Sequence, residues 1–465
     1  MTGKPLSLKV MNLDKEYADC LTYIDSYWNK IIQKPTRKKI NHHIITIPYK
    51  FITPNDKKFN YIFYWDTFFL FKGLLGTKRD GVMKNMVNNF TYLYNEYGII
   101  PNFNSFTSTS RSQPPFLTSM ILDVYNNALY KQNSLNFVNK SIYKFTKNSF
   151  FMNWLKKVTK IAKEEYNNVW LDPQDFFHHK VPGHYLSRYG DTDLGYSLSS
   201  ELESGWDFTS RFYARCNDFL PVDLNCFLYK YEKDFATFAD ILNEPEEKKI
   251  WEKKSKNRKR EINKLMWNEK EGFFYDYGHY YKRQSDFLSL AGYIPMWVGL
   301  ATQNQAKKMV KKLKFFETNF GLVITAKKSL APIIDLNRIP KRYHPALKFI
   351  IEPKQWDYPN IWPPLEYLTV IGLLKYGFIK DAKRIMIKSI NAHAKIFRKY
   401  QTFFEKINGI TADKPDEFQY STQTGFGWTN AIFYRYIQIL KDIETKKNIY
   451  FENQKKPPFE LSILH

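Results

Sequence analysis

Helical periodicity limits the possible folds of this sequence more than any other feature. In VMKNMVNNFTYLYNEYG (82–98) apolar residues recur every three or four positions, and Gly98 marks the end of the segment. PPLEYLTVIGLLKYG (363–377) starts with two prolines, ends in glycine and is apolar nearly all round, which predicts a buried helix. KDAKRIMIKSINAHAKIF (380–397) mixes cations with isoleucine and methionine at helical spacing, as expected for an amphipathic outer helix.

Helical segments of both kinds follow one another along most of the chain, and few segments alternate as strands do. Further helices are predicted near 14–33, 114–131, 150–166, 222–242, 246–266, 284–300, 303–314 and 426–443. No low-complexity linker divides the 465 residues, so we predict one all-α domain over 13–443, an N-terminal extension (1–12) and a C-terminal tail (444–465). Inner and outer helices in alternation suggest hairpins that close into a ring, with the functional face built by its loops.

The chain carries an excess of positive charge, with 70 Lys and Arg against 46 Asp and Glu and a formal charge of +24. Such a field attracts nucleic acid and anionic membranes. However, the lysines are spread along the chain, and no nucleic-acid reading motif accompanies them. The cluster KKSKNRKR (253–260) lies between apolar helical positions and is expected to form a solvated helix face. We therefore expect no nucleic-acid partner, an expectation that salt-dependent retention on DNA would test.

Other sequence features bear on the compartment and on metal binding. Cys20, Cys216 and Cys226 provide neither a disulfide framework nor a paired metal spacing. The N-terminal residues lack an apolar signal region, and no stretch approaches the length of a membrane span. These features predict a cytoplasmic protein. HHKVPGH (178–184) matches no strong metal pattern, so we expect no metal and no cofactor. The sequence does not indicate the oligomeric state.

Polar residues set among Trp, Gly and Pro recur at helix starts and in loops. The segments are FYWDTFF (63–69), YGIIPNFNSFTSTSRSQPP (97–115), ESGWDFTSRF (203–212), QWDYPNIWPP (355–364) and FFEKINGI with QTGFGWTN (403–430). Buried carboxylates are costly unless they have partners. A sugar would supply such a partner, because its faces stack on aromatic rings and its hydroxyls hydrogen-bond to polar side chains. Part of the 18% aromatic content could equally fill a bulky core.

These segments resemble the trehalases of glycoside hydrolase family 37. QWDYPNIWPP matches one family signature except at Ile361, where a small residue is usual, and the segment from Asn102 to Arg111 matches a second at the same internal spacing. ESGWDFTSRF matches the family's acid-bearing segment throughout. Three more segments match in the same order, namely PVDLNCFLYKYE, RQSDFLSLAGYIPMWVGLA and QTGFGWTNA. The resemblance extends from about residue 59 to about residue 435.

The resemblance implies an (α/α)6 barrel that hydrolyses α,α-trehalose to two glucose molecules with anomeric inversion. Inversion needs a carboxylic acid at the glycosidic oxygen and a carboxylate that activates water, about 6.5–9.5 Å apart. By position, Asp207 is the expected general acid and Glu405 the expected general base. We expect burial and nearby carboxylates to raise the pKa of Asp207. Without the resemblance, the residues would favour a helix N-cap for Asp207 and a surface acid for Glu405.

The resemblance also implies a set of substrate-binding residues: Lys58, Phe59, Trp65, Asp66, Asn102, Arg111, Gln113, Gly205, Gln355, Trp356 and Gln419. Trp65 and Trp356 would form stacking walls, and Arg111 would donate hydrogen bonds near the developing charge. Asp357 is expected to be a structural, helix-start residue that also orients its two preceding neighbours.

Several positions depart from the family pattern. Lys58 stands where the family has Arg, so the bidentate hydrogen bonding of a guanidinium group is lost at this position. Tyr61 stands where the family has Glu. Gln419 stands where the family has a sugar-binding Glu. An Arg-Pro-Glu-Ser segment upstream of the acid is missing, with Arg188 as a candidate substitute. Because these losses affect substrate clamping more than the acid and base, we expect a glycosidase with weakened or altered subsite preference.

Two other functions stay open on the sequence. A related barrel enzyme could hydrolyse a glucosyl- or mannosyl-glycerate, whose carboxylate Lys58 and Arg111 could bind. A catalytically silent sugar-binding protein is the other, although Asp207 and Glu405 are both present. A sugar-release assay with each substrate, and calorimetric binding of trehalose, distinguish these functions.

Overall fold

Helices dominate this computed structural model, which describes residues 13–35, 43–134, 137–192, 197–330, 353–417 and 420–445. In chain order they are α1 Leu13–Glu16, α2 Ala18–Ile31, α3 Tyr64–Lys72, α4 Gly81–Tyr97, α5 Leu117–Ser134, α6 Phe137–Glu165, α7 Ser197–Glu203, α8 Val222–Ile241, α9 Pro245–Met266, α10 Ile294–Trp297, α11 Gln303–Val310, α12 Pro363–Lys375, α13 Ile379–Tyr400 and α14 Gly427–Thr445. Gly98 and Gly377 follow α4 and α12 in the left-handed conformation, so the predicted ends of these helices are confirmed.

Six helices that are largely apolar form a closed inner ring. α3, α5, α8, α10, α12 and α14 contact one another in this order, and α14 returns to contact α3. Every residue of α3 is buried, as is every residue of α12 except Lys375. Inside the ring, Phe68, Phe116 and Trp297 pack their aromatic rings together. The predicted all-α (α/α)6 barrel is confirmed.

Amphipathic helices pack outside this ring. α4 and α6 contact α5, α9 contacts α8, α13 contacts α12, and both α2 and α13 contact α14. α13 buries Ile385, Ile390 and Phe397, whereas Arg384 and Lys395 on its other side are exposed. The predicted outer character of this helix is confirmed, and burial of its apolar stripe holds it against the ring.

The basic cluster 253–260 in α9 is only partly solvated. Arg258 is fully buried, and its Nε donates to Glu232 Oε1 of α8 at 2.8 Å. Helical spacing places Arg258 on the same face as Trp251 and Ile262, which are buried as well. The prediction of a solvated face was therefore wrong at Arg258, which is held by a buried ion pair.

The predicted helix over 284–300 was wrong over most of its length. Only the 3₁₀ turn Leu290–Tyr293 and α10 are helical there. The preceding residues are extended, because Ser289 bridges to Thr325 and the Ala326 N–H donates to the Leu288 carbonyl at 2.9 Å. Pairing with a distant segment overrides the local pattern.

Two-residue strands tie the loops together at several points. They are β1 Ile32–Gln33, β2 Phe51–Ile52, β3 Phe219–Leu220, β4 Trp267–Asn268, β5 Phe273–Phe274, β6 Tyr277–Gly278, β7 Arg283–Gln284, β8 Asn360–Ile361 and β9 Ile407–Asn408. All pairs are antiparallel, in the orders β1-β2, β3-β6-β7, β4-β5 and β8-β9. β8 and β9 matter most, because they pair the QWDYPNIWPP segment with the chain that follows Glu405.

Both predicted terminal segments fall largely outside the described residues. Residues 1–12 and 446–465 are not among them, and α14 ends at Thr445, two residues beyond the predicted boundary of the domain. None of the helices in the described part of the chain is both long and apolar enough to cross a membrane.

Candidate active site

A cavity opens at the N-terminal ends of the inner helices. It encloses about 600 Å³ of empty space, a volume that includes its open, solvent-filled mouth. Trp65 and Asp66 lie in the first turn of α3, Trp362 is the N-cap of α12, and Trp428 lies in the first turn of α14. The lining residues are Pro54, Lys58, Phe59, Phe63, Trp65, Asp66, Gln113, Gly205, Asp207, Trp356, Trp362, Glu405, Tyr420, Phe426 and Trp428.

Most of the residues that the sequence placed in the site meet at this cavity. Asp207 and Glu405 both line it, together with Lys58, Phe59, Trp65, Asp66, Gln113, Gly205 and Trp356. Asn102, Arg111 and Gln355 are not among the lining residues, although Arg111 lies near enough to Asp207 to influence its pKa. Gln419 lies outside the described residues.

Asp207 is held in a loop that follows a glycine. Gly205 has a φ of +73°, and a Cβ there would lie 2.8 Å from the ring of Trp65. The Asp207 carboxyl faces the cavity, but its Oδ1 atom is buried without a hydrogen-bond partner among the described residues. Burial raises the pKa of Asp207 to about 7, opposed by Arg111 and increased by Glu405. A carboxyl group in this state can donate a proton near neutrality.

Asp357 holds the loop that follows Asp207. Its carboxylate accepts hydrogen bonds from the Thr209 hydroxyl at 2.9 Å and from the backbone N–H and hydroxyl of Ser210 at 3.0 and 2.6 Å. The Lys354 N–H donates to Asp357 Oδ2 at 2.8 Å. The expected structural role is therefore supported, but Asp357 lies in a turn and not at a helix start, since α12 begins at Pro363.

Without the family resemblance, the structural positions of both acids would have been predicted wrongly. Thr209, and not Asp207, caps the 3₁₀ turn that begins at Ser210, because the Thr209 side chain accepts from the Arg211 N–H. Glu405 is 3% exposed and so is not a surface acid. Both interpretations fail because local sequence does not show which loops are covered by other parts of the chain.

Hydrogen bonds hold the backbone N–H and carbonyl of Glu405 as well as both oxygens of its side chain. Its N–H donates to the Gln423 carbonyl at 3.0 Å, and its carbonyl accepts from Trp428 Nε1 at 2.9 Å. The Tyr420 hydroxyl donates to Oε1 at 3.0 Å, and Lys406 Nζ donates to Oε2 at 3.1 Å. Hydrogen bonds of this kind stabilise a carboxylate, so Glu405 is suited to accept a proton.

A third carboxyl group, Asp66, lines the same cavity. Burial raises its pKa well above the ordinary value, and the charges of Glu405 and Asp207 raise it further. Three neighbouring carboxyl groups cannot all ionise at low cost in a buried site. The site therefore combines two carboxyl groups of raised pKa with a third that receives hydrogen bonds at both of its oxygens.

Comparison with known proteins identifies the family of the chain. The Trehalase family model matches residues 7–441. The chain belongs to the trehalase family. Cytosolic neutral trehalase of Beauveria bassiana is 30% identical over 84% of this chain and 58% of its own length. The corresponding protein of Saccharomyces cerevisiae is 29% identical over 83% of this chain and 56% of its own length. The chain thus spans less than two thirds of these curated relatives.

Solved structures share the fold. Neutral trehalase from Saccharomyces cerevisiae aligns with a TM-score of 0.68 and 24% identity, over 96% of this chain and 85% of that one. A mannosylglycerate hydrolase from Thermus thermophilus, in complex with glucose, aligns with a TM-score of 0.61 and 13% identity, over 90% and 100% of the two chains. At these identities the likeness establishes the barrel shared by the trehalase family and its neighbours.

The aromatic wall of this trehalase-family cavity is larger than the sequence predicted. Trp356 stacks on Trp362 with ring centroids 3.7 Å apart and planes at 9°, and Trp65 lies 5.7 Å from Trp356. Trp362 and Trp428 were not predicted to line the cavity, nor were Pro54, Phe63, Tyr420 and Phe426. Both tryptophans belong to the segments that carry the family resemblance, and this membership was the available signal.

Hydrogen bonds from neighbouring side chains orient the lining residues. Gln113 Oε1 accepts from the Trp65 N–H at 3.1 Å, and Gln355 Nε2 donates to the Asp207 carbonyl. Arg111 Nη1 lies 3.3 Å from Asp191 Oδ2, while the Arg111 carbonyl accepts from the Asn102 N–H. Most of these contacts join segments far apart in sequence.

The departures from the trehalase family pattern have visible consequences. Lys58 is exposed at the cavity, with Nζ 5.1 Å from the centre of the Tyr420 ring. Tyr61 packs against Phe103 instead of offering a carboxylate. Arg188 donates to the His178 and Asn217 carbonyls and is not a lining residue, so the suggested substitution by Arg188 is wrong.

Metal-ligating side chains do not cluster in the described residues, where no group of three or more His, Cys, Asp or Glu could hold an ion. Within HHKVPGH, His179 is buried between the Glu203 carboxylate and the Val169 carbonyl, at 2.9 and 2.8 Å. This histidine serves packing and hydrogen bonding.

Proposed function

We propose that the chain hydrolyses α,α-trehalose to two glucose molecules with inversion, with Asp207 as general acid and Glu405 as general base. The observation that carries the proposal is the pair of unlike carboxyl groups on one aromatic-lined cavity. Asp207 has a pKa raised to about 7, while hydrogen-bond donors hold both oxygens of Glu405. Membership of the trehalase family supports the choice of substrate.

The reaction requires one proton transfer on each side of the scissile bond. Asp207 donates its proton to the glycosidic oxygen as the bond to the anomeric carbon breaks. Glu405 takes a proton from a water molecule, whose oxygen forms the new bond to that carbon from the opposite face. The net change is addition of one water, and the proton on Glu405 returns to Asp207 through solvent. The attacked glucose leaves as the β anomer and the other as the α anomer.

The aromatic wall would position the sugar rings. Trp65 and Trp356 line the cavity, and Gln113, Asp66 and Lys58 offer polar groups to hydroxyls. Gly205 packs against Trp65, where a Cβ would not fit, so the backbone before Asp207 lies close to this ring. Positioning of this kind supplies much of the rate enhancement in bimolecular reactions.

The test is glucose release from trehalose by the purified chain. We expect turnover by the wild type and a loss of about 100-fold or more in kcat for both Asp207→Asn and Glu405→Gln. Proton NMR in the first minutes should show equal amounts of α- and β-glucose. Unchanged turnover by Asp207→Asn, or release of the α anomer alone, would show that this mechanism is wrong.

The open alternatives are measured in the same assay. Glucosylglycerate and mannosylglycerate are supplied in place of trehalose, and faster release of glucose or mannose from either would identify the rival enzyme. Calorimetric binding of trehalose without any product would identify a silent sugar-binding protein. We also propose a cytosolic location, because the curated relatives are named cytosolic neutral trehalases and the three cysteines are free and buried.

A further inference from the structure

Lys406 is buried immediately beside the proposed base and is not among the lining residues of the cavity. The residue is 2% exposed, and its Nζ atom lies 3.1 Å from Glu405 Oε2. The same nitrogen lies 3.3 Å from Gln355 Oε1 and 4.8 Å from the ring centres of Trp362 and Tyr420. A buried ammonium group needs partners, and these four groups hold it in one position.

Gln355 connects Lys406 to the segment of the proposed acid. Its Nε2 donates to the Asp207 carbonyl, while its own backbone carbonyl accepts from Trp362 Nε1 at 2.8 Å and from Asn360 Nδ2 at 2.9 Å. Pairing of β8 with β9 holds the two segments in register. A continuous chain of hydrogen bonds therefore runs from the Glu405 carboxylate to the Asp207 backbone.

We propose that Lys406 is a positioning residue that holds the Glu405 carboxyl group in place and, through Gln355, sets the separation between Glu405 and Asp207. The proposal rests on the hydrolysis proposed above. The separation matters because an inverting enzyme must leave room for one water between the sugar and the base. Lys406 itself transfers no proton.

Other charged groups around Glu405 define what the removal of Lys406 would do. Lys406, Tyr420, Asp66 and Asp207 lie near enough to Glu405 for their charges or hydrogen bonds to reach it. Arg111 acts on Asp207, and Lys58 lies over the Tyr420 ring at the mouth of the cavity. Lys406 also lowers the pKa of Asp207. Without this cation, Asp207 should therefore hold its proton to higher pH.

The decisive variants are Lys406→Met, which removes the charge, and Lys406→Gln, which retains an amide donor. We expect the alkaline limb of the pH profile of kcat/KM for trehalose, which follows Asp207, to move to higher pH, and kcat/KM to fall because Glu405 is no longer held in place. Lys406→Arg should return the alkaline limb toward its wild-type position. Lys312→Met is the control, because it removes a cation from an exposed pair with Glu271, away from the cavity. Loss of rate at every pH with an unmoved alkaline limb would overturn the proposal.

A stability measurement separates this inference from the proposed function. The melting temperatures of the wild type, Lys406→Met, Glu405→Gln and the double variant form a cycle that requires no turnover. We expect Lys406→Met to lower the melting temperature, and the cycle to show a coupling between the two sites. Additive changes would overturn the inference even if the wild type hydrolyses trehalose. If the cycle shows coupling but the wild type does not hydrolyse trehalose, the contact between Lys406 and Glu405 is supported and only the proposed function is refuted.

Discussion

At the scale of single residues, burial sets the protonation state of Asp207 more than neighbouring charges do. Arg111 and Lys406 oppose the effect of burial and Glu405 adds to it, with a resulting pKa of about 7. Glu405 differs because donors reach both of its oxygens. Two carboxyl groups on one cavity thus have different surroundings, as the opposite roles proposed for them require.

The pKa of Asp207 predicts how activity changes with pH. The group is protonated below about pH 7 and ionises as the pH rises through that value, so it stops donating protons. We expect kcat/KM for trehalose to fall on the alkaline side with a midpoint near pH 7. Rates measured between about pH 5 and pH 9 test this. A rate that stays constant across the alkaline half would show that Asp207 is not the acid.

Activity is also predicted to require Gly205, because a larger residue does not fit beside Trp65. Gly205→Ala places a Cβ 2.8 Å from the Trp65 ring, next to Asp207. Displacement of either side chain should lower kcat/KM for trehalose by about tenfold or more. Gly183→Ala is the matched control, because Gly183 has a similar φ of +78° and nothing within 4 Å of its Cβ. Both variants should lose about 1–2 kcal/mol of stability from the left-handed backbone, but only Gly205→Ala should lose activity.

At the scale of elements, the inner ring is joined by buried ion pairs as well as by apolar packing. Lys72 at the end of α3 contacts Asp123 of α5 at 2.6 Å, and both side chains are almost fully buried. Burial raises the pKa of Asp123 to about 6 and lowers that of Lys72 to about 8, despite the pairing. Burial of both charges is costly, so removal of one partner leaves the other uncompensated.

Asp123→Ala should therefore destabilise the barrel by about 3–5 kcal/mol. The loss should shrink as the pH rises, because removal of Asp123 lowers the pKa of Lys72 further from its value of about 8 and the neutral amine costs less to bury. Urea denaturation at several pH values measures both effects. Asp25→Ala is the control, since Asp25 pairs with Arg79 but is 65% exposed, and its loss should cost less than about 1 kcal/mol. Equal losses for the two variants would contradict this account.

At the scale of the whole molecule, ring closure gathers distant segments at one mouth. α14 contacts α3, so the residues near 428 and near 65 become neighbours although they lie at opposite ends of the domain. Much of the excess positive charge lies on outer helices such as α9 and α13, whereas three carboxyl groups line the cavity. A neutral sugar would be selected by stacking and hydrogen bonding, since its association gains little from the charge of the surface.

The amino-acid sequence was sufficient to predict the helices with strong periodicity, such as 363–377, and the fold class, because the spacing of apolar residues is a local property of the chain. Its motifs also identified Asp207 and Glu405 as candidates. The folded chain was needed to show that 284–289 is extended, that Arg258 is buried and that Trp362 and Trp428 line the cavity. The roles of Asp357 and Lys406 also depend on contacts with segments about 50 to 150 residues away. Long-range pairing and burial leave no local pattern, because they arise when the ring closes.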